Sequence, residues 1–200
     1  MSAKSKTPAK SRKDAIRAER RRKQLLSRAG LGLAVALVVA ITGYFALEAI
    51  LPKPGQSLPL LSRTHIKVGD THEPYNSNPP TSGPHADPVP AGFYDQAPPD
   101  ENLVHNLEHG YVIIWYNCSS LDEAGCQGLK TQIKDVMDRA RPVVVTTGAK
   151  KLIAVPRQTM DALIALTSWG RLDTLSSFDV ARVTEFINRL RNQSPEPAAP

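Results

Sequence analysis

No glycine-rich phosphate loop and no G-x-G-x-x-G fingerprint occur in the 200 residues, which removes the commonest sequence signals for nucleotide and dinucleotide binding. No serine stands in a G-x-S-x-G elbow; Ser82 lies between Thr81 and Gly83, so the hydrolase nucleophile motif is missing too. Only two cysteines are present, Cys118 and Cys126. Their spacing is not C-x-x-C, which argues against thiol redox catalysis. No internal repeat is visible, so solenoid and propeller architectures are excluded. Charge is missing altogether from Ala29 to Leu47, and histidine is missing before position 65 and after position 109. These last two gaps organise the whole chain.

The net charge of +6 is unevenly distributed. Residues 1–28 hold eleven Lys and Arg against Asp14 and Glu19, so they carry +9 and the remainder carries −3. A basic overall balance would suggest nucleic acid as a partner, but the body of the protein is mildly acidic and nucleic acid is not expected. The basic stretch precedes AGLGLAVALVVAITGYFAL, nineteen uncharged residues. At about 1.5 Å per residue, a helix of that length crosses a hydrocarbon core of roughly 30 Å. Tyr44 and Phe45 stand near its far end, and Pro52 and Pro54 follow to stop it.

The expectation is a basic cytoplasmic tail (1–28), a transmembrane helix (29–51) in contact with membrane lipid, and a linker (52–62). A C-terminal domain then lies outside the cytoplasmic membrane, because Lys and Arg concentrate on the inner side. A cleaved signal peptide is the rival reading, but its apolar region usually spans only about 7–15 residues before a small-x-small site. On the oxidising side of a membrane, Cys118 and Cys126 are expected to form a disulfide closing a short turn-like segment.

The domain at 63–192 reads as mixed α+β, a small sheet with flanking helices and a long proline-rich ordered wrap. Residues 63–99 contain too many prolines and glycines for long regular elements, yet Ile66, Val68, Tyr75, Val89, Phe93 and Tyr94 supply apolar anchors. Asp100 as N-cap and Gly110 as C′ residue bracket a short helix over 101–109. Residues 111–116 form an apolar run suited to a strand buried on both faces. Helical spacing returns at Leu129, Ile133, Val136, Met137 and Ala140. Short β-rich runs follow at 142–147 and 151–155, and 162–168 favours a strand. A last helix is expected after a Ser177 or Asp179 cap, with Val180, Val183, Phe186, Ile187 and Leu190 on its apolar face. A disordered end is expected at 193–200.

All five histidines, His65, His72, His85, His105 and His109, fall within the wrap and the short helix. Imidazole is the side chain most used for metal ligation and proton transfer near neutral pH. In VHNLEHG, His105 and His109 stand at i, i+4, so both rings can reach one ion. The string also matches H-x-x-E-H, the inverted zinc-protease motif. A metal-dependent hydrolase would use Glu108 as general base. That reading lacks a convincing downstream Glu-bearing helix, Glu185 being the only remaining Glu with helical context. In YNSNPPTSGPH the prolines and glycine hold a backbone that presents His85 rigidly. The candidate ligands are therefore His85, His105 and His109, with His65 or Glu108 completing the shell. Imidazoles with a carboxylate suit zinc or copper. Two other readings stay open: histidines that only pin loop to helix in a non-catalytic module meeting an envelope protein partner, and the hydrolase.

With these residues in view, the chain resembles a bacterial membrane-anchored family, domain of unknown function 3105. The resemblance rests on YNSNPPTSGPH, Gly92–Tyr94, LVHNLEHG, AVPR at 154–157, SWGR at 168–171 and Phe178-Asp179, and covers about 63–192. It implies an anchored topology and one shared fold, with no established activity. His65, His85, His105, Glu108 and His109 stand at matching positions, whereas His72 does not.

Overall fold

The structure is a computed structural model that describes residues 9–143 and 148–199. It divides into an N-terminal helical unit ending at Pro52 and a domain from Lys53 onward. Helix α1 runs over Ala9–Ile50 and stops short of Pro52. Within Ile16–Leu47 an 18-residue part has a mean hydropathy of 2.2 and is 0% buried, and the helix is long and apolar enough to cross a membrane. A single-pass anchor and a signal sequence are both compatible with such a helix. The basic stretch is continuous with it from Ala9 as one helix rather than a loose tail.

The domain is built on a six-stranded sheet in the order β1-β6-β5-β3-β4-β2. The strands are β1 (Gln56–Ser57), β2 (Gly92–Phe93), β3 (Val112–Tyr116), β4 (Leu152–Pro156), β5 (Ile164–Ser168) and β6 (Arg171–Leu175). β3 and β4 are parallel, as are β2 and β4. β5 runs antiparallel to β3 and β6, and β1 antiparallel to β6. The connection from β3 to the parallel β4 carries α3 (Glu123–Arg139), because parallel neighbours need a crossover. α2 (Asp100–Glu108) precedes β3, and α4 (Val180–Leu190) follows β6.

Every residue of β3 is buried, as its unbroken apolar run requires. Successive side chains point to opposite faces. Val112, Ile114 and Tyr116 join Ile133, Val136, Phe186 and Ile187 of α3 and α4 in one core. Ile113 and Trp115 meet Leu103 and Leu107 of α2, with Val89, Tyr94 and Trp169 around them, in a second core. The sheet is thus covered by two helices on one face and by α2 with the proline-rich wrap on the other.

Several expectations change in detail. The residue before α2 is Pro99, with no side-chain cap; Asp100 is already helical and its carboxylate is held by Arg157 instead. Gly110 does adopt a positive φ of +88°, the conformation a C′ glycine supplies. The segment after Cys118 is a turn over 119–121, as expected, and then passes into α3, where Asp122 accepts from Gly125 N and Cys126 lies inside the helix. Asp179 caps α4, accepting from Ala181 N and Arg182 N.

β6 escapes the sequence reading, since Arg171, Asp173 and Thr174 dilute its apolar content. Asp173 is satisfied there by two hydrogen bonds from Arg182. Of the β-rich run expected at 142–147, residues 144–147 lie outside the described residues. The supposed linker contributes β1, and Arg171 Nη1 reaches the carbonyls of Lys53, Pro54 and Gly55. Residues 193–199, read as a disordered end, contact the domain because Lys151 holds their carbonyls and Glu196 N donates to Glu108 O.

Candidate metal centre

The wrap is held in place by its polar side chains. Gly83 has φ +141°, and a Cβ there would stand 2.7 Å from the Tyr75 ring. Glycine therefore lets Tyr75 lie against the backbone, and the Tyr75 hydroxyl donates to Pro84 O at 2.7 Å. Burial pushes the Tyr75 phenol well above its usual range, with Glu101 and Asp100 adding to the shift. Asn78 donates to Thr159 O and Asn76 to Pro59 O. Ser82 Oγ accepts from Leu61 N, and Thr81 O from Gly170 N. A short parallel bridge pairs His65 with His85, with Ile66 N donating to His85 O and His85 N to Thr64 O. This bridge puts two histidines twenty residues apart side by side.

α2 brings the other half. Its apolar residues Leu103 and Leu107 enter the core, which turns His105 and Glu108 towards the wrap. Asn106 clamps Val89 from both sides, donating to its carbonyl at 2.8 Å and accepting from its N–H at 3.1 Å. The outcome is a triangle of imidazoles: His65–His85, His85–His105 and His65–His105 ring centroids lie 4.6, 4.7 and 4.9 Å apart. With Glu108 they form a group in which one ligand atom from each residue lies within 4.8 Å of the others. His85, His105 and Glu108 are buried, while His65 is exposed and forms the open side.

Backbone carbonyls beside the rings decide which nitrogens face the group. His85 Nδ1 lies 2.8 Å from Gly83 O, and His105 Nδ1 lies 2.7 Å from Ala86 O. A carbonyl can only accept, so both Nδ1 atoms carry the proton and, in a neutral ring, Nε2 presents its lone pair. Backbone-tethered histidines of this kind recur around bound metals. His85 Nε2 stands 2.9 Å from Glu108 Oε2, both side chains 0% exposed. Neither atom has a hydrogen-bond partner among the described residues. Burial pushes the His85 pKa down, with Gly83 O and Glu108 pulling the other way, so desolvation disfavours the charged ring. A lone pair facing a carboxylate oxygen in a dry site is costly unless a proton or a metal cation lies between them. The other oxygen, Glu108 Oε1, accepts from Arg63 Nε.

His109 is not part of this group. It sits at the C-cap of α2, its ring 4.5 Å from that of His105 and its Nε2 3.8 Å from Glu196 Oε2. The i, i+4 rings stay adjacent, but only His105 belongs to the group, and His109 Nε2 lies towards Glu196. His72 is apart as well, bonded to Glu73 O and lying 4.9 Å from the Tyr75 ring at a tilt of 53°. Sequence reasoning passed over Arg63, Asn106 and Glu196. No local motif marks Arg63 or Glu196, whose proximity to the group depends on the fold. Arg157 stood within the AVPR string, and the structure shows its use: it binds Asp100 twice and Asn78 once, tying the start of α2 to the wrap.

An α+β domain carrying three imidazoles and a carboxylate around one point, behind a long apolar helix, defines a class of architecture that could hold a metal ion. Over residues 67–200 the chain matches the family described as "Protein of unknown function (DUF3105)", and it belongs to that family. The matched region includes His85, His105, Glu108 and His109 and begins two residues after His65. No curated protein and no solved structure matches the chain.

Proposed function

We propose that this protein is a single-pass, membrane-anchored domain that binds one zinc or copper ion outside the cytoplasm, through His65, His85, His105 and Glu108. The observation that carries the reading is the buried contact between His85 Nε2 and Glu108 Oε2, unpartnered at 2.9 Å, with His85 Nδ1 already committed to Gly83 O. Ligands at about 2.0–2.1 Å around tetrahedral zinc lie roughly 3.3 Å from one another. A group spread over 4.8 Å needs only a modest inward movement, most readily of the exposed His65. Three imidazoles and one carboxylate suit zinc and copper(II) alike. His109, placed among the ligands by its sequence spacing, is outside the proposed set.

The basic residues ahead of the uncharged run, most of them within α1, support an N-terminus in the cytoplasm. The Cys118–Cys126 disulfide suits an oxidising compartment. Hydrolysis with Glu108 as base is less well supported, since Oε1 is engaged by Arg63 and Oε2 faces His85.

The test is metal content by plasma mass spectrometry of the intact, detergent-solubilised protein, purified without a histidine tag. His85→Ala/His105→Ala is run in parallel, with circular dichroism to verify folding. About one zinc or copper per chain, lost in the folded variant, supports the centre. No uptake after incubation with either ion would overturn it and leave the histidines as pins between wrap and helix. An envelope protein partner would then become the leading reading.

A further inference from the structure

We propose that the loaded centre accepts a carboxylate from outside the chain, in the seat now filled by Glu196; the inference rests on the metal reading above. Glu196 Oε1 accepts from Arg63 Nη2 at 2.7 Å, and its Oε2 stands 3.8 Å from His109 Nε2. The same Arg63 donates through Nε to Glu108, so one guanidinium bridges the proposed metal ligand and a second carboxylate. The backbone of Glu196 is fixed beside the site by its N–H to Glu108 O at 3.1 Å. The site is thus fitted to a carboxylate, and the protein supplies one of its own.

That internal carboxylate is exchangeable. Arg63 and Glu196 side chains are 47% and 44% exposed, unlike Glu108 at 0%. Exposed ion pairs of this kind are weak, so an incoming carboxylate displaces Glu196 at little cost. The charges favour the exchange once a metal is present. With neutral imidazoles as ligands, Arg63, Glu108 and Glu196 sum to −1, which attracts a divalent cation. The loaded site then carries +1 and attracts an anion. His65, the exposed ligand, marks the side from which the ion can be approached. A planar carboxylate matches the forked donors of arginine.

The test uses the full-length protein in detergent, loaded with Co(II) as a coloured substitute for zinc, and titrated with acetate at constant ionic strength. The expected result is a saturable shift of the visible cobalt bands. Glu196→Gln, which removes the internal competitor's charge, tightens acetate binding about threefold to fivefold. Arg63→Gln weakens it by a similar factor. The cobalt spectrum before acetate is added verifies folding and metal loading in each variant. A parallel titration with a short glutamate-containing peptide amide identifies the source: tighter binding than acetate assigns the seat to a peptide side chain, and equal binding to small carboxylates. A normal cobalt spectrum that acetate and the peptide leave unchanged overturns the inference while the metal reading stands. Unchanged acetate affinity in Glu196→Gln overturns it too, as does a response to phosphate alone. Failure of cobalt to bind at all overturns both readings.

Discussion

Arg157 holds Asp100 with two hydrogen bonds, Nη1 to Oδ1 at 2.6 Å and Nη2 to Oδ2 at 3.0 Å, across 57 residues of sequence. The same guanidinium donates to Asn78 Oδ1 and lies 5.1 Å from the Trp115 ring centre. One side chain from the end of β4 therefore fixes the first residue of α2 and the turn of the wrap that leads to His85. Its removal loosens both halves of the histidine group together.

Arg157→Ala is expected to lower folding stability by about 2–3 kcal/mol, the range for truncating one partner of a charged hydrogen bond. Metal affinity is expected to fall with it. Urea denaturation and metal titration of the folded variant measure the two effects. Wild-type affinity at reduced stability would show that this clamp does not position the ligands.

Gly83→Ala is expected to destabilise by at least about 2 kcal/mol, because φ +141° disfavours any side chain and the new Cβ would meet Tyr75 at 2.7 Å. Tyr75→Phe, which deletes only the hydroxyl bonded to Pro84 O, should cost about 1 kcal/mol. Urea midpoints for both variants test this order, and a Phe variant worse than the Ala variant would contradict it.

The buried Tyr75 phenol, raised above the usual tyrosine range, gives stability a definite alkaline dependence. In the unfolded chain tyrosine ionises near pH 10, whereas the folded chain resists losing this proton. The contribution is fully present below about pH 10 and declines as pH rises past it. Tyr116, pushed up to about 12, adds to the same trend. Urea midpoints at rising pH should fall more shallowly for Tyr75→Phe than for wild type. Parallel curves would disprove the assignment.

Lys151 is completely buried, and its Nζ lies 2.7–3.0 Å from His109 O, Asn192 Oδ1, Pro197 O and Ala199 O. Burial lowers its pKa. Lys151→Met leaves these acceptors without their donor and should cost about 2–3 kcal/mol. The amide of Glu196, which donates to Glu108 O, should exchange its hydrogen faster than in wild type. Unchanged exchange would mean that the lysine does not retain the segment.

The Cys118–Cys126 disulfide closes a separation of 8 residues. In the chain-entropy view a loop of that size contributes about 2.5 kcal/mol. Reduction and alkylation should lower the urea midpoint accordingly, and alkylation without reduction should add no mass. Unchanged stability after reduction would refute the contribution.

Local pattern carries much of this protein. The uncharged run at 29–47 determines a long apolar helix because nothing in it could be left unsolvated at cost. The unbroken apolar stretch before Tyr116 determines a strand covered on both faces, and the periodic residues of α3 and α4 determine which sides they bury. The rigid proline–glycine string and the short helix ahead of Gly110 were both legible, as was the confinement of histidine to that window. Selection among the histidines was not. His65 meets His85 through a backbone bridge, and His109 turns to Glu196 because residues 193–199 lie across the end of α2. Arg63, Arg157, Lys151 and Glu196 act across 41 to 133 residues of chain, and their partners exist only once the sheet has brought distant segments together. Sequence spacing governs neighbours on one helix or strand, while a site assembled from several loops depends on tertiary contacts.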